Sequence, residues 1–148
     1  MIQIYFGYGK GKTTSALGQG MRAKGAGKNV LLVQFLKNNK SSELDVLPFD
    51  ICKSPEILPF NPGKEYQAWV DSAVSYIKNS TCDIIILDEP INALDDSGTE
   101  QVRQILLKHK QRGALIIIAC HDADELEFLS DEIIEIAEGR IQPKKEKK

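Results

Sequence analysis

The chain has 148 residues, 42% of them hydrophobic and 27% charged, with a formal net charge of −2. That length suits one domain with a real core, and the balance of charge gives no support for a disordered chain or a nucleic-acid partner. No run reaches the roughly 18 apolar residues of a membrane span, and the opening residues lack a leader pattern, so a cytoplasmic protein with no membrane span is expected.

Short β-rich runs alternate with longer amphipathic stretches, which predicts βαβ units on a mainly parallel sheet. Residues 2–6 read as a strand and 13–24 as a helix, ended by Gly25 and Gly27. Residues 29–35 (NVLLVQF) form a continuous apolar run, the pattern of a central strand buried on both faces. From 37 to 63 the chain is irregular and carries four prolines, with only 49–52 suggesting a short edge strand. Regularity returns with a helix over 65–78, a strand over 83–87, a helix over 98–111 and a strand over 114–119. A helix over 123–129 and a last strand over 132–136 complete the pattern, before a turn at Glu138 and Gly139. Residues 1–142 are expected to form one domain, with 143–148 a charged tail.

The first strand runs into residues 7–14, GYGKGKTT, and then directly into a helix. Gly7, Gly9 and Gly11 let backbone N–H groups converge on phosphate oxygens, while the helix N-terminus adds partial positive charge. Lys12 can reach the outer phosphates, Thr13 can ligate Mg2+ through its hydroxyl, and Lys10 and Thr14 complete the candidate triphosphate set. The common GxxxxGK[ST] pattern is missed at one position, where Phe6 stands in place of the first glycine. The expected ligand is ATP with Mg2+.

DIIILDEP puts Asp88 and Glu89 at the end of a buried strand, on the sheet edge where such folds bind ligands. One acid there can hold Mg2+ and its neighbour can orient a nucleophile, and strand alternation predicts that the two point to opposite faces. The next strand ends at His121 and Asp122, where a histidine can reach a phosphate or a water, or Asp122 can simply start the following helix. Lys12, Glu89 and His121 are the candidate catalytic residues, and Thr13, Asp88 and Glu89 the candidate metal set. His109 is expected to be solvated, Tyr66 and Trp69 to be core, and Cys52, Cys82 and Cys120 to be reduced, with the thiols buried.

GYGKGKTTSALGQGMRAKGAGKNVLLVQFLK, with Glu43 shortly after, resembles the opening of the ATP:corrinoid adenosyltransferases, whose GxGKGKTT loop also lacks the usual first glycine. The likeness continues through Arg22, Ala23, Gly25, the tryptophan-containing helix and the LDE strand end. It implies transfer of the 5′-deoxyadenosyl group of ATP to a cob(I) corrinoid, with release of triphosphate. The later sequence is similar to ABC-type ATPases: LDEPINALD resembles their Walker B and D-loop, and CHDADELEFLSDEIIEIAEGRI their switch histidine and terminal strand. No LSGGQ-like signature precedes Asp83, so a transporter motor is not expected. A minimal ATPase switch acting on a protein partner stays open as the alternative, as does a homodimer. The fold implied is α/β: a three-layer, RecA-like P-loop NTPase with a mainly parallel sheet of five or six strands.

Overall fold

The computed structural model describes residues 1–35, 41–52, 64–91, 94–124 and 126–143. The expectations for the rest of the irregular middle segment, and for the tail beyond Pro143, lie outside the described residues. The elements in chain order are β1 (Ile2–Phe6), α1 (Lys12–Gly25), β2 (Val30–Gln34), β3 (Asp50–Cys52), α2 (Lys64–Asn79), β4 (Ile84–Asp88), α3 (Asp96–Gln111), β5 (Leu115–Cys120), β6 (Glu132–Ala137) and β7 (Arg140–Ile141). The 3-10 turns Ser42–Asp45 and Glu127–Leu129 interrupt the connections.

The strands form one sheet in the order β3-β2-β4-β5-β1-β6-β7. Every neighbouring pair is parallel except β6 and β7, which form an antiparallel hairpin. Strands that read as unbroken apolar runs are the central ones: every residue of β2 and of β4 is buried. Alternation then divides their side chains between two layers. Tyr5, Leu32, Ile86 and Ile117 pack on Ala16 of α1, whereas Ile4, Val33, Ile85 and Ile118 pack on Val70 and Val74 of α2 and Val102 and Leu106 of α3. Helix α1 comes close enough to the sheet that a Cβ on Gly20 would lie 2.8 Å from both Ile86 and Phe49.

The three-layer α/β fold is the expected one, with three differences of detail. The sheet has seven strands because the turn at Glu138 and Gly139 folds the chain back into the two-residue β7. The segment expected as a helix over 123–129 contains a 3-10 turn instead. Among its described residues Ala123, Leu126 and Leu129 are buried, and their spacing of three matches a helix of three residues per turn rather than 3.6. His109, expected in solvent, is 4% exposed. It belongs to the inward stripe of α3 with Val102, Ile105 and Leu106.

The strand order decides where the polar residues meet. Strand β5 lies between β1 and β4, so the segments leaving β1, β5 and β4 emerge side by side on one edge. Register keeps their ends level: Phe6 is opposite Cys120, Ala119 is opposite Asp88, and Asp88 is opposite Gln34.

Candidate functional site

Gly7, Gly9 and Gly11 have φ of 122°, 84° and 117°, backbone conformations that L side chains rarely adopt. A Cβ on Gly7 would also lie 2.3 Å from the carbonyl oxygen of Ile136 in β6, so the loop is wedged against the C-terminal hairpin. The amide of Glu138 donates to the carbonyl of Tyr8 at 3.3 Å and anchors the loop from the same side. Gly11 occupies the N-cap of α1 without a side-chain cap, and the first turn holds no acidic residue. The helix therefore presents its N–H groups and partial positive charge to the loop.

Lys12 is 5% exposed, and its Nζ donates to the carbonyl of Gly9 at 3.0 Å, which folds the ammonium back over its own loop. The Thr13 hydroxyl donates to Asp88, 3.3 Å from Oδ1 and 3.2 Å from Oδ2. Asp88 is 1% exposed and also accepts from Nε2 of Gln34 at 3.4 Å. A hydroxyl beside a buried carboxylate is a hard-oxygen set that fits Mg2+, which would take its other oxygens from phosphate and water. Among the described residues no three His, Cys, Asp or Glu side chains cluster as a protein-only metal site. Lys10 and Thr14 are exposed on the loop and the first turn.

Glu89 does not follow strand alternation. Its φ of 53° ends β4 in a left-handed turn, while its amide still donates to Ala119 at 2.8 Å. The carboxylate sits 3.4 Å from Nε2 of His121, at the end of β5. Burial pushes the Glu89 carboxyl above the usual range; the field of Asp88 adds to this, and His121 and Lys12 oppose it. Lys12, Asp88, Glu89 and His121 thus share one electrostatic cluster. Burial, reinforced by Glu89 and Asp122, pushes the neighbouring Cys120 thiol up to about 12, so it stays protonated and is no nucleophile. Asp122 accepts from the amide of Asp124 at 3.0 Å, which is a turn-forming role.

Asp95, in the D-loop-like stretch, caps α3 by accepting from the Gly98 amide at 2.7 Å. Tyr66 and Trp69 stack with ring centroids 5.6 Å apart, and Trp69 meets Phe35 edge-on, so both serve the core. The thiols of Cys82 and Cys120 are buried, that of Cys52 partly so, and all three are free. Sequence reasoning missed Gln34, whose signal was one polar residue closing an apolar strand, and Ile136 and Glu138, which support the loop from the other end of the chain.

The model of the family described as ATP:corrinoid adenosyltransferase BtuR/CobO/CobP matches residues 1–147. Curated relatives match the C-terminal half of the chain. An ABC transporter ATP-binding protein of Bacillus subtilis, YybJ, is 45% identical over 60 residues, covering 40% of this chain and 28% of that protein. The lantibiotic transport ATP-binding protein SrtF of Streptococcus pyogenes is 43% identical over 63 residues, covering 43% of this chain and 28% of that protein. The matched stretch therefore spans less than a third of either relative's length. Among solved structures, a metal-chelate-type ABC transporter in an inward-facing conformation aligns with a TM-score of 0.50 at 15% identity, covering 95% of this chain and 70% of that one. That likeness supports the fold, a three-layer P-loop NTPase.

Proposed function

We propose that this chain, which belongs to the ATP:corrinoid adenosyltransferase BtuR/CobO/CobP family, binds the triphosphate of ATP on its glycine-rich loop and transfers the 5′-deoxyadenosyl group to a cob(I) corrinoid. The observation that carries this reading is the pairing of Thr13 with Asp88 at 3.2 Å beneath three left-handed glycines and an uncapped helix end. Gly7, Gly9, Lys10, Gly11, Lys12, Thr13 and Thr14 would hold the triphosphate through backbone N–H groups, two ammonium groups and two hydroxyls. Mg2+, held near Thr13 and Asp88, with Glu89 next to them, would neutralise charge on the phosphates.

In the transfer, the reduced cobalt of the acceptor gives an electron pair to C5′ of ATP, the C5′–O5′ bond breaks, and triphosphate leaves with those bonding electrons. No proton need move. The protein's task is to fix the triphosphate as a leaving group and hold C5′ in line with the acceptor. Lys12 can stabilise the leaving charge, since it is already enclosed at the loop. No helix among the described residues is long and apolar enough to cross a membrane; we place the activity in the cytoplasm, where ATP is supplied.

A second reading rests on a separate observation, the approach of His121 to Glu89 at 3.4 Å. A carboxylate beside the outer phosphate can orient water, and a histidine can contact that phosphate, as a minimal ATPase switch for a protein partner would require. The ABC-type matches in the C-terminal half support this alternative. Incubation with ATP, Mg2+ and chemically reduced cob(I)alamin separates the two. Adenosylcobalamin with triphosphate is the expected result; ADP and phosphate with no change in the corrinoid spectrum would replace the transferase by the switch.

A further inference from the structure

A cavity of about 560 Å³ runs along β6 and the C-terminal hairpin, at the opposite side of the sheet from β3. Its lining is mostly apolar and includes Phe6, Ile133 and Ile141, the last of them 72% exposed. The charged groups on it are carboxylates: Glu127, Asp131, Glu132 and Glu135. Among the described residues no lysine, arginine or histidine lines it. Asp131 is engaged by Lys110 at 2.7 Å and by the Ile2 amide at 2.7 Å. Glu132 accepts from the neutral carboxamide of Gln3 at 2.5 Å, which leaves its negative charge in place.

The cavity lies beside an incomplete sheet edge. Strand β6 pairs with β1 from Glu132 to Glu135, whereas β7 reaches only Ile136 and Ala137. The Glu135 carbonyl accepts from the Gln142 amide at 2.9 Å, so Glu135 faces β7. Hydrogen-bonding direction alternates along a strand, which turns the N–H and C=O of Ile133 to that same outer edge. Among the described residues no strand lies beside Ile133 there. Charge alone is an ordinary guard for a sheet edge, but guarding does not require an apolar cavity next to it.

We propose that the outer edge of β6 takes up an extended, basic segment of a protein partner, added to the sheet as a further strand. Apolar side chains of that segment enter the cavity against Phe6, Ile133 and Ile141, and alternate lysines or arginines meet Glu132 and Glu135. A second copy of this chain does not suit the edge, because its own β6 would set glutamates against glutamates. The proposal is independent of the nucleotide reading.

The test is fluorescence anisotropy on the full chain without nucleotide, with three labelled peptides: KVKVKVK, EVEVEVE and KSKSKSK. KVKVKVK is expected to bind about tenfold or more tighter than the other two, and to slow hydrogen exchange at the Ile133 amide. Glu135→Lys and, separately, Ile141→Ser should each weaken it about fivefold or more, with urea midpoints confirming that both variants fold. Ile141 is exposed, so its variant serves should Glu135→Lys fail to fold. Equal binding of KVKVKVK and KSKSKSK reduces the edge to a general attraction of charge and overturns the proposal, as does absent binding or indifference to both substitutions. Binding to a chain ended at Pro143 but not to the full chain would give the groove to residues 144–148 and overturns it as well.

Discussion

The two edges of the parallel sheet treat their polar groups in opposite ways. At the edge where β1, β4 and β5 end, four residues have positive φ, a helix starts without a side-chain cap, and a lysine folds back onto its own loop. At the other edge, polar groups bond one another across the chain. The amino terminus donates to Ala114 at 3.0 Å, the Ile2 amide to Asp131 at 2.7 Å, and the Asn29 amide to Asp83 at 2.9 Å.

The most buried example at that second edge is His109. Arg112 Nε can only donate, so Nδ1 of His109, 2.8 Å away, must accept; Nε2 then carries the proton and donates to the Ile77 carbonyl at 2.7 Å. Arg112 Nη2 also donates to the Cys82 carbonyl at 2.6 Å, which ties the ends of α2 and α3 to the approach to β4. The contrast fits the proposed function, with stability at one edge and ligand capture at the other, since a site must leave unspent the interactions its ligand will use.

Substitutions sort by edge if this is right. The largest effect is expected from Lys12→Ala, which should weaken triphosphate binding by about 100-fold or more, roughly 2.8 kcal/mol, with little change in the denaturation midpoint. Calorimetry and a urea titration of the same sample check both halves of that statement, and unchanged affinity would remove the phosphate reading. Arg112→Ala should do the reverse, costing about 1–3 kcal/mol of stability by leaving buried acceptors without a donor, while triphosphate affinity stays within about twofold. A smaller loss, about 1 kcal/mol, is expected from Asp95→Ala, because the residue caps α3; an effect on turnover without one on stability would return Asp95 to a D-loop role.

The smallest effect is a slope with pH. Burial, with a lesser contribution from Arg112, holds the His109 imidazole below its ordinary 6.5, against the Ile77 hydrogen bond. The unfolded chain therefore binds the proton first as pH falls, so the stability His109 contributes is complete above about pH 6.5 and is lost as pH drops towards the folded value. Urea midpoints measured from pH 7.5 to 5 should fall in the wild type and fall less in His109→Gln. An equal fall in both would move the slope to other groups.

Much of the geometry of the candidate site's edge was legible because its chemistry is local. The glycines, Lys12 and Thr13 are adjacent in sequence, and the apolar runs before Gly7 and Asp88 announce the strands that carry them. Glu89 was legible as a candidate but not in its aim, because a left-handed φ at a non-glycine residue has no signature in the residues around it. The bonding edge was harder to read, since its pairs join residues as distant as Ile2 and Asp131. His109 could have been found from its place seven residues after Val102 on one helix face, a spacing that outweighs the polarity of the residue. β7 was missed because two exposed residues carry no alternation to detect.

The wedge of Gly7 under Ile136 bears on the order in which the molecule assembles. β1 precedes its sheet partners β5 and β6 by more than a hundred residues, so it is made well before them. The contacts that set the loop therefore close some of the longest loops in the chain, and such contacts form slowly. A nascent chain that has completed α1 and β4 holds Lys12, Thr13 and Asp88 but has no frame to align them. On the proposed function, competence to take up triphosphate would report that the C-terminal hairpin has docked, and chains interrupted before it are expected not to sequester ATP.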